Sequence, residues 1–301
     1  SVCYSTVINV PDDYSTIQAG IDASADGDIV VVYPGLYEEN IIIGKSITLT
    51  SLALFDTTSN TVIESLDEWF EWVAGQNMVT NDLIYSTIID GSGAEQSTII
   101  IRPIENECTE PQILGFTIQN GHGTKMDRFY ENPEGGTDTL KQYIGGGILS
   151  FLSNPKIHYN KIQNNGFTTN VIKTGAAVYA VDDPEDMDFP LRSASRTQTC
   201  EVDTFDFKYN FFENNFSSLG RHLGNRMFEG EFDLSGSMFD KWNCQNPENQ
   251  TKIWINIDEI EDLTADNYSN NSCLSTSDVY VNPVTGSDDI NDGLNTLYYS
   301  N

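Results

Sequence analysis

The fold of this chain is decided by residues 8–50, which read INVPDDYSTIQAGIDASADGDIVVVYPGLYEENIIIGKSITLT. Ser15 is followed three positions later by Gln18, a capping-box pattern that predicts the start of a helix. Apolar side chains then recur at helical spacing and predict one buried helix face, formed by Tyr14, Ile17 and Ile21. From Ile29 onward, apolar residues fill both faces of a short strand, as in parallel sheets covered on both sides.

Three short strands are predicted after the helix, and tight corners separate them. The strands lie at residues 29–33, 41–43 and 47–49, and the corners are Pro34-Gly35 and Gly44-Lys45. Strands this short, with such tight corners, favour a coiled chain over a hairpin sheet. We expect the helix to lie over the open end of that coil and to cover its unpaired backbone edge.

This stretch resembles the N-terminal cap and first rung of right-handed parallel β-helix proteins of the pectate lyase-like superfamily. The residues that carry the resemblance are Val10-Pro11, Ile17-Gln18-Ala19, Gly27-Asp28, Val32, Pro34-Gly35, Tyr37-Glu38-Glu39-Asn40 and Ile47-Thr48-Leu49. It implies an all-β fold over residues 1–257, a solenoid with an N-terminal capping helix and inserted loops. It implies little about chemistry, because the superfamily contains enzymes, binding proteins and structural proteins.

A repeat in the middle of the chain predicts a solenoid independently of that resemblance. Similar residue types recur at offsets 0, 3, 5 and 7 in four segments: Ile113, Phe116, Ile118 and Asn120; Ile157, Asn160, Ile162 and Asn164; Phe207, Asn210, Phe212 and Asn214; and Leu234, Ser237, Phe239 and Lys241. In a solenoid each unit buries its apolar face against its neighbours. Asn160 and Asn210 share one offset, which predicts a corner ladder in which each amide bonds to the next coil. Segments such as NPKIHYNKIQNNG are similar to repeats of secreted bacterial β-helix surface proteins.

Two long insertions interrupt the repeat region, at residues 121–143 and 181–204. Insertions on one side of a solenoid tend to build its functional face, so a cleft is predicted between them. The second insertion carries five carboxylates within seven residues, namely Asp182, Asp183, Glu185, Asp186 and Asp188. Clustered carboxylates need a cation to offset their repulsion, and calcium suits flexible oxygen ligands. The alternative is a solvated acidic loop without an ion.

The catalytic motifs of the family are incomplete in this chain. His122 lies in a Gly-His-Gly triplet as in polygalacturonase-like glycosidases, but Asp182-Asp183 follows the triplet instead of preceding it, which indicates a coincidental match. A lyase needs a basic residue beside calcium to abstract a proton. Asp183 of the acidic loop, with Arg192 or Arg221, is the one lyase-like group that can be assembled.

Composition restricts the partners of the chain. Fifteen Lys and Arg residues against 45 Asp and Glu residues leave a formal charge of −30. Such a surface repels nucleic acid and anionic membranes, and no apolar run is long enough to predict membrane insertion. Five cysteines are spread along the chain, and the expected disulfide partners in the late segment are Cys200, Cys244 and Cys273. Their connectivity stays open.

The C-terminal part of the chain changes character. Residues 258–277 have the composition of a linker, and residues 278–301 resemble the opening of a further β-helix module. These features favour a secreted or cell-surface scaffold for adhesion, extracellular assembly or glycan binding, without catalysis in this segment. Its partner would be an extracellular glycan or a neighbouring surface protein. The alternatives are a polysaccharide-active enzyme, either a calcium-assisted lyase or a glycoside hydrolase, and a self-associating subunit of an extracellular filament.

Overall fold

The structure is a computed structural model, and it describes eleven segments of the chain: residues 5–63, 82–103, 108–131, 135–166, 172–181, 187–188, 204–217, 222–226, 231–239, 253–254 and 263–264. These residues form an all-β fold with two short helices, α1 at Ile17–Ala23 and α2 at Asp82–Ser86. Residues 278–301, predicted to begin a further module, lie outside the described residues.

Three parallel sheets make up most of the described fold. Sheet A contains β1 (Val7–Val10), β2 (Ile29–Val32), β5 (Thr48–Ser51), β10 (Gln112–Leu114), β15 (Lys156–His158), β20 (Thr204–Asp206), β23 (Glu231–Asp233) and β26 (Leu263–Thr264). Sheet B contains β3 (Gly35–Tyr37), β8 (Thr87–Asp90), β11 (Thr117–Gln119), β16 (Lys161–Gln163), β21 (Phe211–Glu213) and β24 (Met238–Phe239). Sheet C contains β4 (Ile41–Ile43), β9 (Ile99–Ile101), β14 (Ile148–Phe151), β18 (Val178–Val181), β22 (Leu223–Arg226) and β25 (Ile253–Trp254).

The chain visits the three sheets in a fixed order. Six times in succession it contributes a strand to sheet A, then to sheet B, then to sheet C, and we call one such pass a circuit. Each strand pairs in parallel with its counterpart in the neighbouring circuits. The repeat identified in the sequence aligns in this register, since Ile113 pairs with Ile157 and Ile118 pairs with Ile162. Because equivalent residues stack, one line of buried apolar side chains runs through all the circuits.

The strands differ from the sequence prediction at three places. Gly35, predicted to lie in a turn, begins strand β3 of sheet B. The segment predicted as the third strand of the first coil is β5, which pairs with β2 and therefore opens the second circuit. The last strand of sheet A, β26, lies within the segment 258–277 that was predicted to be a linker, so sheet A extends at least to Thr264.

Helix α1 packs against β1, β2 and β4 in the first circuit, at the place the sequence predicted. The predicted capping box of Ser15 and Gln18 is wrong, because Thr16 is the N-cap and its hydroxyl accepts from the N–H of Ala19. Gln18 instead bonds in both directions to the main chain of Ile42, on the edge strand of sheet C.

The buried face of α1 also differs at its first predicted member. Tyr14 precedes the helix and is 39% exposed, whereas Ile17 and Ile21 are buried as expected. Two side chains of the first circuit bond to the ends of the helix. The carboxylate of Glu39 accepts from the N–H groups of Ile17 and Gln18, and Lys45 Nζ donates to three carbonyls at the C-terminal end.

Inserted segments form two further pieces of β-structure. Segment 55–62 is a small hairpin of β6 (Phe55–Asp56) and β7 (Thr61–Val62). The four-stranded sheet D has the order β17-β13-β12-β19, formed by Ile172–Thr174, Thr137–Ile144, Thr124–Glu131 and Met187–Asp188.

Candidate functional site

The two predicted insertions are joined by strand pairing. The first insertion forms the hairpin of β12 and β13, and β19 of the second insertion pairs antiparallel with β12. The hairpin packs on the outer face of sheet C. Met126 and Ile144 are buried there in one apolar cluster with Ile100, Leu149 and Tyr179. The inserted hairpin therefore covers part of the outer face of sheet C. The cleft between the two insertions stays a prediction, because most of the second insertion lies outside the described residues.

The last residue of the predicted calcium loop lies at the edge of sheet D. Asp188 pairs with Asp127 across β19 and β12, so two acidic residues are directly opposite each other. Asp127 is half-buried, and its Oδ1 atom is buried and has no hydrogen-bond partner among the described residues.

The other predicted ligands, Asp182, Asp183, Glu185 and Asp186, lie outside the described residues. Within the described ranges, no group of three or more His, Cys, Asp or Glu side chains is placed to hold a metal ion. The calcium site therefore stays a prediction. Asp127 is the residue that the sequence did not suggest for it, because only strand pairing brings Asp127 opposite the acidic loop.

Of the catalytic candidates, only His122 lies within the described residues. The Nδ1 atom of His122 lies 3.1 Å from the main-chain oxygen of Ala94 and donates to it, which holds the ring in the turn that follows sheet B. Arg192, Arg221 and Asp183 lie outside the described residues, so the lyase-like group stays a prediction. The predicted disulfide partners Cys200, Cys244 and Cys273 also lie outside the described residues. Cys108, which was not among the expected partners, forms a disulfide whose other half is outside the described residues.

The predicted asparagine ladder is present in the turn between sheets A and B. The Oδ1 atom of Asn210 accepts from the main-chain N–H and the side-chain amide of Asn160, at 3.0 and 3.2 Å. Asn160 in turn accepts from the N–H of Phe116, and the N–H of Asn210 donates to the hydroxyl of Ser237. We call this column, from Phe116 to Ser237, the first ladder. Both asparagines are buried, so their amides satisfy main-chain groups that water cannot reach.

The residue before each ladder position has a left-handed backbone. The φ angles are 76° at Gly115, 60° at Tyr159, 58° at Tyr209 and 66° at Gly236. Tyrosine rarely adopts this conformation, and here the rings of Tyr159 and Tyr209 stack with centroids 5.2 Å apart. A Cβ atom at Gly236 would lie 2.2 Å from the ring of Tyr209, so a glycine is required below the stack.

A second ladder, which the sequence analysis missed, occupies the turn after sheet B. The Oδ1 atom of Asn215 accepts from the main-chain N–H and the side-chain amide of Asn165, at 3.1 and 3.0 Å. Asn165 accepts from the N–H of Gly121, and the side-chain amide of Asn215 lies 3.2 Å from Nδ1 of His222. We call the column from Gly121 to His222 the second ladder. The available signal was the doubled asparagine at residues 164–165 and again at 214–215.

A network of charged side chains lies on the outer face of sheet A beside the first ladder. His158 Nε2 donates to Asp206 Oδ1 at 2.7 Å, and Lys208 Nζ lies 3.4 Å from Asp206 and 2.9 Å from Asp233. Burial would raise the pKa of Asp206, but the hydrogen bond and charge of His158, with the charge of Lys208, hold that pKa below its ordinary value. The bond gives His158, a residue of strand β15, a structural role between neighbouring circuits.

The outer face of sheet B carries a polar row. Gln163 donates to Gln119, and Gln119 donates to Asp90, at 2.8 and 2.9 Å across neighbouring circuits. Beside this row, Lys161 pairs with Glu213 at 2.8 Å. Burial raises the pKa of Asp90, but hydrogen bonds from Gln119, Ser92 and Asn120 outweigh burial and lower it. These side chains bond mainly to one another, which is the arrangement of a structural surface.

The chain has one informative similarity to a curated protein. A stretch of 105 residues is 30% identical to a "Cell surface glycoprotein" of Methanothermus fervidus, and the match covers 28% of this chain and 18% of that protein. The chain thus spans less than a fifth of the relative's length. No family model matches the chain, and no solved structure gives a significant match. None of the helices described is both long and apolar enough to cross a membrane.

Proposed function

We propose that this chain is a right-handed parallel β-helix module of a secreted or cell-surface protein and that it serves as a non-catalytic scaffold. Three parallel sheets, visited six times in the same order, support the solenoid. The name of the partial relative supports a location at the cell surface. The scaffold would act in adhesion, extracellular assembly or glycan binding.

The observation that carries the scaffold proposal is the covered face of sheet C. A catalytic cleft between the two insertions would leave that face open to substrate. Instead, Met126 and Ile144 of the inserted hairpin are buried against it. Side chains with acid–base potential on sheets A and B, such as His158 and Glu213, are paired with neighbours in adjacent circuits.

Incubation with uronate and neutral glycans tests this proposal. We expect neither unsaturated products, measured by ultraviolet absorbance, nor new reducing ends. A pectate lyase and a polygalacturonase serve as positive controls for the two readouts. Products that disappear in Asp183→Asn would replace the scaffold with a polysaccharide-active enzyme. A product that persists in Asp183→Asn and in His122→Gln would also reject the scaffold and would place the chemistry elsewhere.

Calcium at the acidic loop is part of the same proposal. Asp127 would contribute to the site together with the predicted carboxylates, because strand pairing places it opposite Asp188. We expect calcium to raise the melting temperature, since an ion at 100 times its dissociation constant stabilises by about 2.7 kcal/mol. Asp188→Asn should abolish the shift. Asp56→Asn, at an exposed turn, is the matched control and should retain it. No shift in the unmodified protein would reject the site.

The surface charge restricts the partners of the proposed scaffold. With a net charge of −30, neutral glycans or basic surfaces of neighbouring proteins are favoured over polyuronates and nucleic acids. Self-association through an exposed end of the stack would give a filament. Light scattering with and without calcium tests this assembly, and we expect larger particles only when calcium screens the charge. Particles of monomer size under both conditions would rule out the filament.

A further inference from the structure

The second ladder ends on a titratable side chain among the described residues. His222 is fully buried and immediately precedes strand β22 of sheet C. Its ring Nδ1 atom lies 3.2 Å from the side-chain nitrogen of Asn215, and its main-chain oxygen accepts from the N–H of Val178. His222 therefore connects the turn after sheet B to two strands of sheet C.

The direction of hydrogen bonding along the ladder determines which atom of Asn215 faces the ring. Oδ1 of Asn215 accepts from two donors of Asn165, so this atom is the oxygen and not the nitrogen of the amide. The nitrogen Nδ2 of Asn215 then donates to the carbonyl of Ile162 at 2.8 Å and has its second hydrogen left for His222. Nδ1 of His222 must accept this hydrogen.

An accepting Nδ1 carries no proton, so the proton of the neutral ring is on Nε2. If Nδ1 gains a proton, two N–H groups point at each other and the contact becomes repulsive. The ring is fully buried, so the added charge is also separated from water. Both effects oppose protonation in the folded protein.

Two described neighbours of the ring are uncharged. The ring of Phe212 lies 5.7 Å away and is tilted by 48°, and the second neighbour is the side-chain amide of Asn215. Glu213, between these residues in sequence, is directed to Lys161 on the outer face of sheet B. Strand β18 contributes Val178 through its main chain, and the charged residue of β22 itself is Arg226, at the far end of that strand.

We propose that His222 is an acid-sensitive latch, a neutral ring with its proton on Nε2 that holds the end of the second ladder and releases it when the ring is protonated. The unfolded chain binds a proton at this histidine below about pH 6.5, whereas the folded chain does not. Stability is therefore lost as the pH falls, and the unfolding equilibrium constant rises by up to tenfold per pH unit. The first ladder ends on a hydroxyl and has no such dependence.

Nitrogen-15 NMR of the three histidine rings tests the latch directly. Spectra of His122→Gln and His158→Gln assign the signals, because the chain has three histidines. We expect the Nε2–H tautomer at His222 and no titration of that ring between about pH 7.5 and about pH 5.5 while the protein stays folded. A proton on Nδ1, or a ring that titrates in the folded protein, overturns the proposal.

Urea unfolding at the two pH values gives a second, independent measurement. His222→Asn places an amide oxygen near the position of Nδ1 and keeps an acceptor that cannot be protonated. We expect the loss of stability toward low pH in the unmodified protein and in the control His122→Asn, but not in His222→Asn. An equal loss in all three proteins contradicts the latch. If His222→Asn does not fold, the tautomer and the titration in the unmodified protein decide the question.

Discussion

The two asparagine ladders share one hydrogen-bond scheme but end on different groups. In the first ladder the N–H of Asn210 donates to the hydroxyl of Ser237, and in the second the amide of Asn215 donates to the ring of His222. A hydroxyl keeps its proton over the whole physiological pH range, whereas an imidazole does not. With the proposed latch at His222, similar turns in one stack of circuits differ in acid sensitivity because of the group on which each ladder ends.

The largest effect is expected from removing the middle of either ladder. Asn210→Ala removes the acceptor of the main-chain N–H of Asn160 and the donor to the carbonyl of Ile157. Asn215→Ala removes the acceptor shared by the main-chain N–H and the side-chain amide of Asn165, and the donor to the carbonyl of Ile162. Because each buried orphan group costs about 1–3 kcal/mol, each variant should lose about 3–5 kcal/mol of unfolding free energy. Urea denaturation measures the loss.

The matched control for these variants is Asn164→Ala. Asn164 has a φ of 55° and lies beside the second ladder without being one of its members. Its loss should cost only about 1 kcal/mol. If Asn215→Ala and Asn164→Ala lost the same unfolding free energy, the hydrogen bonds of the second ladder would contribute nothing to stability. The turn of the second ladder would then not be equivalent to that of the first.

A somewhat smaller effect is expected at the beginning of the ladders, where they differ in shape. Gly121 begins the second ladder, and a Cβ atom there would lie 1.9 Å from the carbonyl oxygen of Gly146. Gly121→Ala must therefore displace the main chain just before β14, in the same circuit, and should cost about 2–3 kcal/mol. Thermal unfolding measures this. Gly93→Ala, where a Cβ would meet only Asn40 at 3.5 Å, is the control and should be nearly neutral.

The end of the first ladder should be less sensitive. Ser237→Ala removes the acceptor for the N–H of Asn210 and the donor to the carbonyl of Phe207. We expect a loss of about 1–2 kcal/mol, and the loss should be the same at about pH 7.5 and about pH 5.5. A loss that grows toward the lower pH would remove the proposed contrast with His222.

The smallest effect is expected from Asp206, on the outer face of sheet A near the first ladder. Its pKa is lowered in the folded protein, so its contribution is present above the ordinary carboxyl pKa and is lost as the pH falls below about 4. Asp206→Asn should cost about 1 kcal/mol at pH 7 and less at pH 3. If the stability lost in Asp206→Asn changed between about pH 7.5 and about pH 5.5, the region of the first ladder would be acid-sensitive in the same range as the second ladder.

Local sequence patterns predicted much of the fold. The repeat placed Ile118, Ile162 and Phe212 in one buried column, and the structure confirms this register. Asn160 and Asn210 were identified as a ladder for the same reason, since their spacing repeats with that of the core. The capping box failed because three neighbouring residues, Ser15, Thr16 and Gln18, could all serve the helix terminus, and the contact of Gln18 with a distant strand decided between them.

The candidate site was less accessible to sequence reasoning. The position of the acidic loop was evident from composition, but Asp127 lies 61 residues before Asp188, and no local pattern connects them. The contact of His222 with Asn215 was also not predictable, because His222 lies outside the repeat although it is seven residues from Asn215. Contacts made by insertions depend on where an inserted strand finds an unpaired edge, and periodicity carries no information about that.

Side-chain type and spacing were enough to establish a stack of short parallel strands with asparagines at a corner. A residue buried in every circuit must repeat in sequence, because each circuit meets the same environment as its neighbours. The three-dimensional packing was needed to show that the inserted hairpin covers sheet C and that a histidine ends the second ladder. Each of these contacts occurs once, so it leaves no periodic pattern in the sequence, and only the folded backbone brings the atoms together.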